Sequence, residues 1–107
     1  MQLRFISMHV WEDLNLPSLL VFGSYKIFFW SNENNEPIHV HVSKDKPTPN
    51  STKIWLTKGG AAILANNKGR IPEKDLNEIM EMLAIHHFLI CIRWKEYFNL
   101  DKIKFYC

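Results

Sequence analysis

Cysteine is scarce in this chain. Cys91 lies in an apolar stretch and Cys107 is the last residue, a pair that builds no disulfide framework and fits a reducing cytoplasm. No charged start leads into an unbroken apolar run with a small-residue cleavage site, so no signal peptide is expected. The apolar stretch from Leu19 to Trp30 is broken by Gly23, Ser24 and Lys26 and falls short of the ~20 residues that span a bilayer, so no membrane segment is expected. Internal repeats and low-complexity tracts are missing. Walker, G-x-G-x-x-G, G-x-S-x-G, H-E-x-x-H and C-x-x-C motifs are absent as well, which removes the common nucleotide-binding, hydrolase, metalloprotease and thioredoxin classes. No carboxylate pair suited to general acid and base work stands out.

What remains is the composition of a globular protein. The 107 residues are 47% hydrophobic and 13% aromatic, with four Trp and seven Phe, enough for one domain with its own core. The expected division is a core at 16–98, an extension at 1–15 and a tail at 99–107. Net charge is only +2, but it is unevenly placed. Residues 44–74 hold seven basic groups (Lys44, Lys46, Lys53, Lys58, Lys68, Arg70, Lys74) against Asp45 and Glu73. Such a segment suits solubility, and it also suits contact with RNA or DNA phosphates.

Hydrophobic patterning points to an α+β fold. Residues 1–17 are apolar without a clean period, consistent with an added strand or a short helix. Leu19–Phe22, a Gly23-Ser24 turn and Tyr25–Trp30 read as a hairpin rich in aromatic and β-branched residues. Polar residues 32–36 end at Pro37, which favours extended backbone before it and opens a strand through His39 and His41. Thr52–Leu56 alternates as a half-buried strand should, completing an antiparallel meander of about four strands. Gly59-Gly60 precedes Ala61–Ala65, read as a short apolar turn or helix. Pro72, Glu73 and Asp75 then mark a helix start, and Leu76, Ile79, Met80, Leu83, His87, Ile90, Trp94 and Tyr97 form one stripe. From Glu73 to Phe98 such a helix would be about 39 Å long, so a break or bend near His86-His87 is expected, leaving one long C-terminal helix or a helix pair against the sheet.

The segment Pro37-Ile38-His39-Val40-His41-Val42 concentrates the chemistry. Spacing of two on a strand puts both imidazoles on one face and both valines on the other. Imidazole titrates near neutral pH and serves as acid, base or metal ligand. His39 and His41, with His86 or His87 from the helix, are therefore the candidate catalytic residues, and the same set supplies the candidate three-histidine ligands if zinc binds. No cofactor is otherwise expected. The alternative is structural: the pair packs on Trp30 and Trp55 and bonds to loop carbonyls. Lys44, Lys53, Lys58, Trp55 and Trp94 are candidate binding residues, although both tryptophans fall in periodic apolar runs that also suit core anchors. Cys91, between Leu89-Ile90 and Ile92, reads as a buried inert thiol. Leu19, Val21, Phe28 and Trp30 are expected as exposed-edge hydrophobics of the first hairpin, which would allow a homodimer.

Taken in order, Leu16-Pro17, Phe22 to Asn32, Glu36 to Val42, Lys53 to Leu56, then Leu76, Ile79, His86 and Trp94-Lys95-Glu96-Tyr97-Phe98 resemble the bacterial domain-of-unknown-function 4160 family. The P-x-H-V-H-V and W-x-E-Y-F elements carry the resemblance, and Ile38 stands where the family often has a second proline. The resemblance implies a small cytoplasmic α+β domain of no settled activity, often one half of a compact gene pair similar to toxin–antitoxin modules. It singles out His39, His41, His86 and Trp94. The leading expectation is an interaction domain that binds the small protein encoded beside it. The alternative is a ribonuclease or other hydrolase, metal-free or zinc-dependent, built on His39 and His41.

Overall fold

The computed structural model describes residues 3–5, 18–30, 33 and 35–107. Six strands run in chain order: β1 Leu3–Phe5, β2 Ser18–Phe22, β3 Tyr25–Phe28, β4 His39–Lys44, β5 Thr52–Leu56 and β6 Ala62–Asn66. Each pairs antiparallel with its sequence neighbours in the sheet order β1-β2-β3-β4-β5-β6. The helices α1 Glu73–Ile85 and α2 His87–Phe98 follow. The α+β meander with C-terminal helices is thus present, with two more strands than the sequence pattern suggested. One is β1, in the stretch left between strand and helix; the rest of residues 6–17 lies outside the described residues. The other is β6, which replaces the turn or helix expected over Ala61–Ala65.

Local chemistry explains most of these elements. Gly23 takes φ +63°, which a two-residue hairpin loop between Phe22 and Tyr25 requires. Strand β6 has no such signature, because Ala62, Ala65 and Asn66 carry little strand preference. It is held by register instead: Leu64 pairs with Ile54, Ile63 with Trp55 and Ala62 with Leu56. Pro72 supplies the carbonyl that accepts the Leu76 N–H at the start of α1, and Asn99, left-handed at φ +53°, ends α2.

The expected helix break falls at His86, whose φ −100° and ψ 18° leave the helical region. A straight helix over the same residues would be about 39 Å long, more than the 35 Å longest extent of the molecule. The break lets α1 bury Ile79, Met82 and Leu83 while α2 buries Ile90 and Trp94. Those side chains join Leu20, Ile27, Val40, Val42, Ile54 and Leu56 in one core. Of the four residues expected at the exposed edge of the first hairpin, Val21 and Phe28 are buried and Trp30 is half-buried. The Leu19 side chain lies outside the described residues. The tail folds back, with the Ile38 N–H donating to the Lys104 carbonyl and the Lys58 N–H to that of Cys107.

Candidate functional site

Pairing register sorts β4 into two faces. Val40 opposes Ile54, and Val42 opposes both Ile27 and Thr52. On the other face His41 opposes Phe28 and Lys53, while His39 opposes Trp55. The alternation read from the sequence therefore holds, and both imidazoles share a face, yet that face is covered. His39 is fully buried and His41 is 7% exposed. Aromatic rings enclose them: His41 stacks on Phe28 at 5.7 Å and meets Trp30 at 6.0 Å. His39 meets Trp55 at 5.5 Å and Trp94 at 5.4 Å, and the two imidazole centroids are 4.9 Å apart.

The third member of the cluster is Glu33, from the loop between β3 and β4. Its Oε1 lies 2.8 Å from Nε2 of His39 and 2.8 Å from Nε2 of His41. The opposite ring nitrogens are also held, His39 Nδ1 by the Pro37 carbonyl at 2.9 Å and His41 Nδ1 by the Ser51 hydroxyl at 3.1 Å. Both rings are thereby fixed with their Nε2 atoms aimed at one point. Among the described residues the group able to share a metal ion is Glu33, His39 and His41, with ligand atoms within 4.8 Å of one another. His86 is not in it. The helix break places His86 between α1 and α2, which corrects the ligand set expected from the sequence.

Proton accounting in this cluster is tight. Burial pushes the Glu33 carboxyl up, but hydrogen bonds from His39 and His41 and the attraction of their rings outweigh it, leaving the group ionised and well below the usual carboxylate range. An ionised carboxylate only accepts, as does the Pro37 carbonyl. Burial pushes His41 down toward neutrality; the Glu33 hydrogen bond and charge oppose this, while the charges of His39 and Lys53 add to it. Neutral His41 donates from Nε2 to Glu33 and accepts the Ser51 hydroxyl proton at Nδ1.

Other expected site residues fall around this cluster unevenly. Lys53 places Nζ 4.4 Å above the Trp55 ring and pairs with Glu36 at 2.6 Å. Trp55, half-buried, stacks on Tyr106 at 5.0 Å. Trp94 anchors α2, meeting Phe29 edge-on at 4.9 Å besides His39, so both tryptophans are packing residues that also wall the site. Lys58 is exposed in the β5–β6 turn, and Lys44 lines a cavity with Thr48, Asn50 and Lys68. His87 clamps α2 to the sheet, donating from Nε2 to the Thr57 carbonyl at 2.6 Å. Cys91 is half-buried with its thiol pushed up by burial, as an inert thiol should be. Sequence reasoning missed Glu33, whose one signal was position: a carboxylate a few residues before a strand bearing two histidines.

Fold and site together define a small α+β domain, an antiparallel meander with two C-terminal helices and a two-histidine, one-carboxylate cluster beside its central strands. The family model described as Domain of unknown function (DUF4160) matches residues 24–95. The chain belongs to that family, and the match spans β3 to most of α2, including all three cluster residues. Neither a curated protein nor a solved structure matches it. Among the described residues no helix is long and apolar enough to cross a membrane.

Proposed function

We propose that Glu33, His39 and His41 form a divalent metal centre, with zinc the favoured ion, and that the domain is a metal-dependent hydrolase. One observation carries the reading: two imidazoles, each locked through Nδ1 by Pro37 or Ser51, converge through Nε2 on one oxygen of Glu33. Ligating histidines characteristically have the remote nitrogen held this way, which fixes ring orientation. With an ion on the Nε2 atoms, the Nδ1–H of His39 would donate to the Pro37 carbonyl and the Nδ1–H of His41 to the Ser51 hydroxyl oxygen. The three ligand atoms lie within 4.8 Å of one another, so a single ion would be held by Nε2 of both histidines and a Glu33 oxygen. Zinc held by three protein ligands would keep a fourth position for water and would supply the acidification that turns that water into a nucleophile.

Zinc titration of chelator-treated protein tests this, read by calorimetry and elemental analysis. The expected result is one equivalent bound, with affinity down at least about 100-fold in His39→Ala and in His41→Ala. Wild-type protein that takes up neither zinc nor manganese refutes the centre.

A second reading keeps the domain as an interaction module, one half of a toxin–antitoxin-like pair binding a small protein partner. It is favoured by apolar side chains left in solvent, Ile85 at 71% and Phe88 at 77% exposed on either side of the helix break, and by Ile63 and Leu64 on the outermost strand. Exposed apolar groups gathered in a patch mark contact surfaces. Co-purification with the neighbouring gene product, lost in Ile85→Glu/Phe88→Glu, would support it; no complex with wild-type protein would end it.

A further inference from the structure

Two loops that are remote in sequence meet at the far end of β4 from His39. The β4–β5 connection contributes Lys44, Thr48 and Asn50, and the segment after β6 contributes Lys68, Gly69 and Arg70. Together with Ser43 they line a cavity of about 250 Å³. Lys44, Lys68 and Arg70 are exposed, and no ion pair engages any of them among the described residues. The lining contains no acidic side chain and no aromatic ring. Three cations left unpaired around one cavity, with hydroxyl and amide groups between them, match a multiply charged oxyanion rather than an apolar ligand.

The loops are braced before any ligand arrives. Asn67 holds the second loop from several sides: its Oδ1 accepts from Thr52 Oγ1 at 2.6 Å and from the Ile71 N–H at 3.0 Å, and its Nδ2 donates to the Ile71 carbonyl at 3.0 Å. The Gly69 N–H donates to Thr52 Oγ1 at 3.1 Å. A Cβ at Gly69 would meet that oxygen at 2.8 Å, so the close approach needs glycine. Arg70 (φ +52°) and Asp45 (φ +67°) are both left-handed, and each follows or precedes a cavity residue. Such backbone persists only where surrounding bonds enforce it. Preformed cationic loops lose little entropy on binding.

We infer that this cavity is a phosphate-binding site, taking the anionic group of a phosphoryl ligand between Lys44, Lys68 and Arg70. The inference stands apart from the metal centre and survives its failure, since none of the cavity residues belongs to the cluster. Of the lysines grouped in the sequence as binding candidates, Lys53 pairs with Glu36 and lies over Trp55, while Lys44 lines this cavity with Lys68 and Arg70.

The test is an amide chemical-shift titration of the full chain with inorganic phosphate at constant ionic strength. Saturable shifts confined to the Lys44–Asn50 and Lys68–Arg70 loops are expected. Affinity should fall at least about tenfold in Lys44→Gln/Arg70→Gln, with melting temperature unchanged because both side chains project into solvent. No saturable shift in wild-type protein, shifts centred elsewhere, or a variant within twofold of wild type would each overturn the assignment. Parallel titrations with a 5′-mononucleotide and with single-stranded oligouridylate identify the source of the phosphate. A polynucleotide ligand binds more tightly than the mononucleotide and weakens steeply with salt, and a small phosphoryl ligand shows the reverse order.

Discussion

Removing the Glu33 carboxylate from metal-free protein should be among the costliest single changes outside the core. Glu33→Ala deletes two charge-assisted hydrogen bonds of 2.8 Å, each of a kind that contributes about 1.5–3 kcal/mol. It also strands the Nε2 donors of His39, fully buried, and His41. Stripping one partner from a buried ionic group typically costs about 3–5 kcal/mol; the carboxylate is 17% exposed, so the lower end, about 3 kcal/mol, is expected. For a domain near this size that lowers the melting temperature by about 12–24 °C. Thermal unfolding followed by circular dichroism, with chelator present, measures it. Glu36→Ala is the control, because the Glu36–Lys53 pair is more exposed, at 39% and 19%, and should cost no more than about 1 kcal/mol. If Glu33→Ala costs as little as Glu36→Ala, the convergence of both imidazoles on Glu33 does not hold the loop to β4 and the reasoning fails.

Other consequences are open to measurement. Tyr25 donates to Asp75 at 2.7 Å, and burial first, then that hydrogen bond and the Asp75 charge, push its hydroxyl up to about 12. Its folded value lies above the unfolded value of about 10, so its contribution is complete below pH 10 and is lost as pH rises toward 12. The tyrosinate absorbance step near pH 12 should be missing from the titration of Tyr25→Phe, and the alkaline loss of stability should become shallower; unchanged curves would contradict the contact. Gly69→Ala should destabilise by about 1–3 kcal/mol through overpacking against Thr52, read by urea unfolding. A thiol reagent should modify exposed Cys107 at once and half-buried Cys91 slowly; two equal fast phases would mean that α2 opens.

Much of the fold was legible because its signals are local. The Gly23-Ser24 turn, the alternation through His39 and His41, and the stripe from Leu76 to Trp94 each sit within a few residues of what they specify. Even the break at His86 followed from length alone. Strand β6 was not legible: Ala62, Ala65 and Asn66 have weak preferences, and what makes them a strand is pairing with β5, a tertiary effect that overrides propensity. The site was half legible for the same reason. Strand periodicity placed the histidines on one face, while nothing local says that the break at His86 leaves that residue outside the cluster. Glu33 lay in a polar loop beside Glu36, and nothing local says that one of them turns inward to the imidazoles while the other pairs with Lys53. Likewise, the meeting of Lys44 with Lys68 and Arg70 depends on how two loops converge, which composition does not record.

All three metal-ligand candidates lie between the end of β3 and the middle of β4, on a single hairpin arm. Closing so short a loop costs little entropy, and the cost would grow only slowly with loop length. Formation of the cluster therefore requires only β3, β4 and their connection, with β5 supplying Trp55 and Ser51 alongside. Every strand pairs with its sequence neighbour, the kind of local pairing that goes with faster folding. Helix α2 then reaches the cluster through Trp94. An ion held by these three residues would therefore tie together one short stretch of chain, residues 33–41, rather than joining distant parts of the fold.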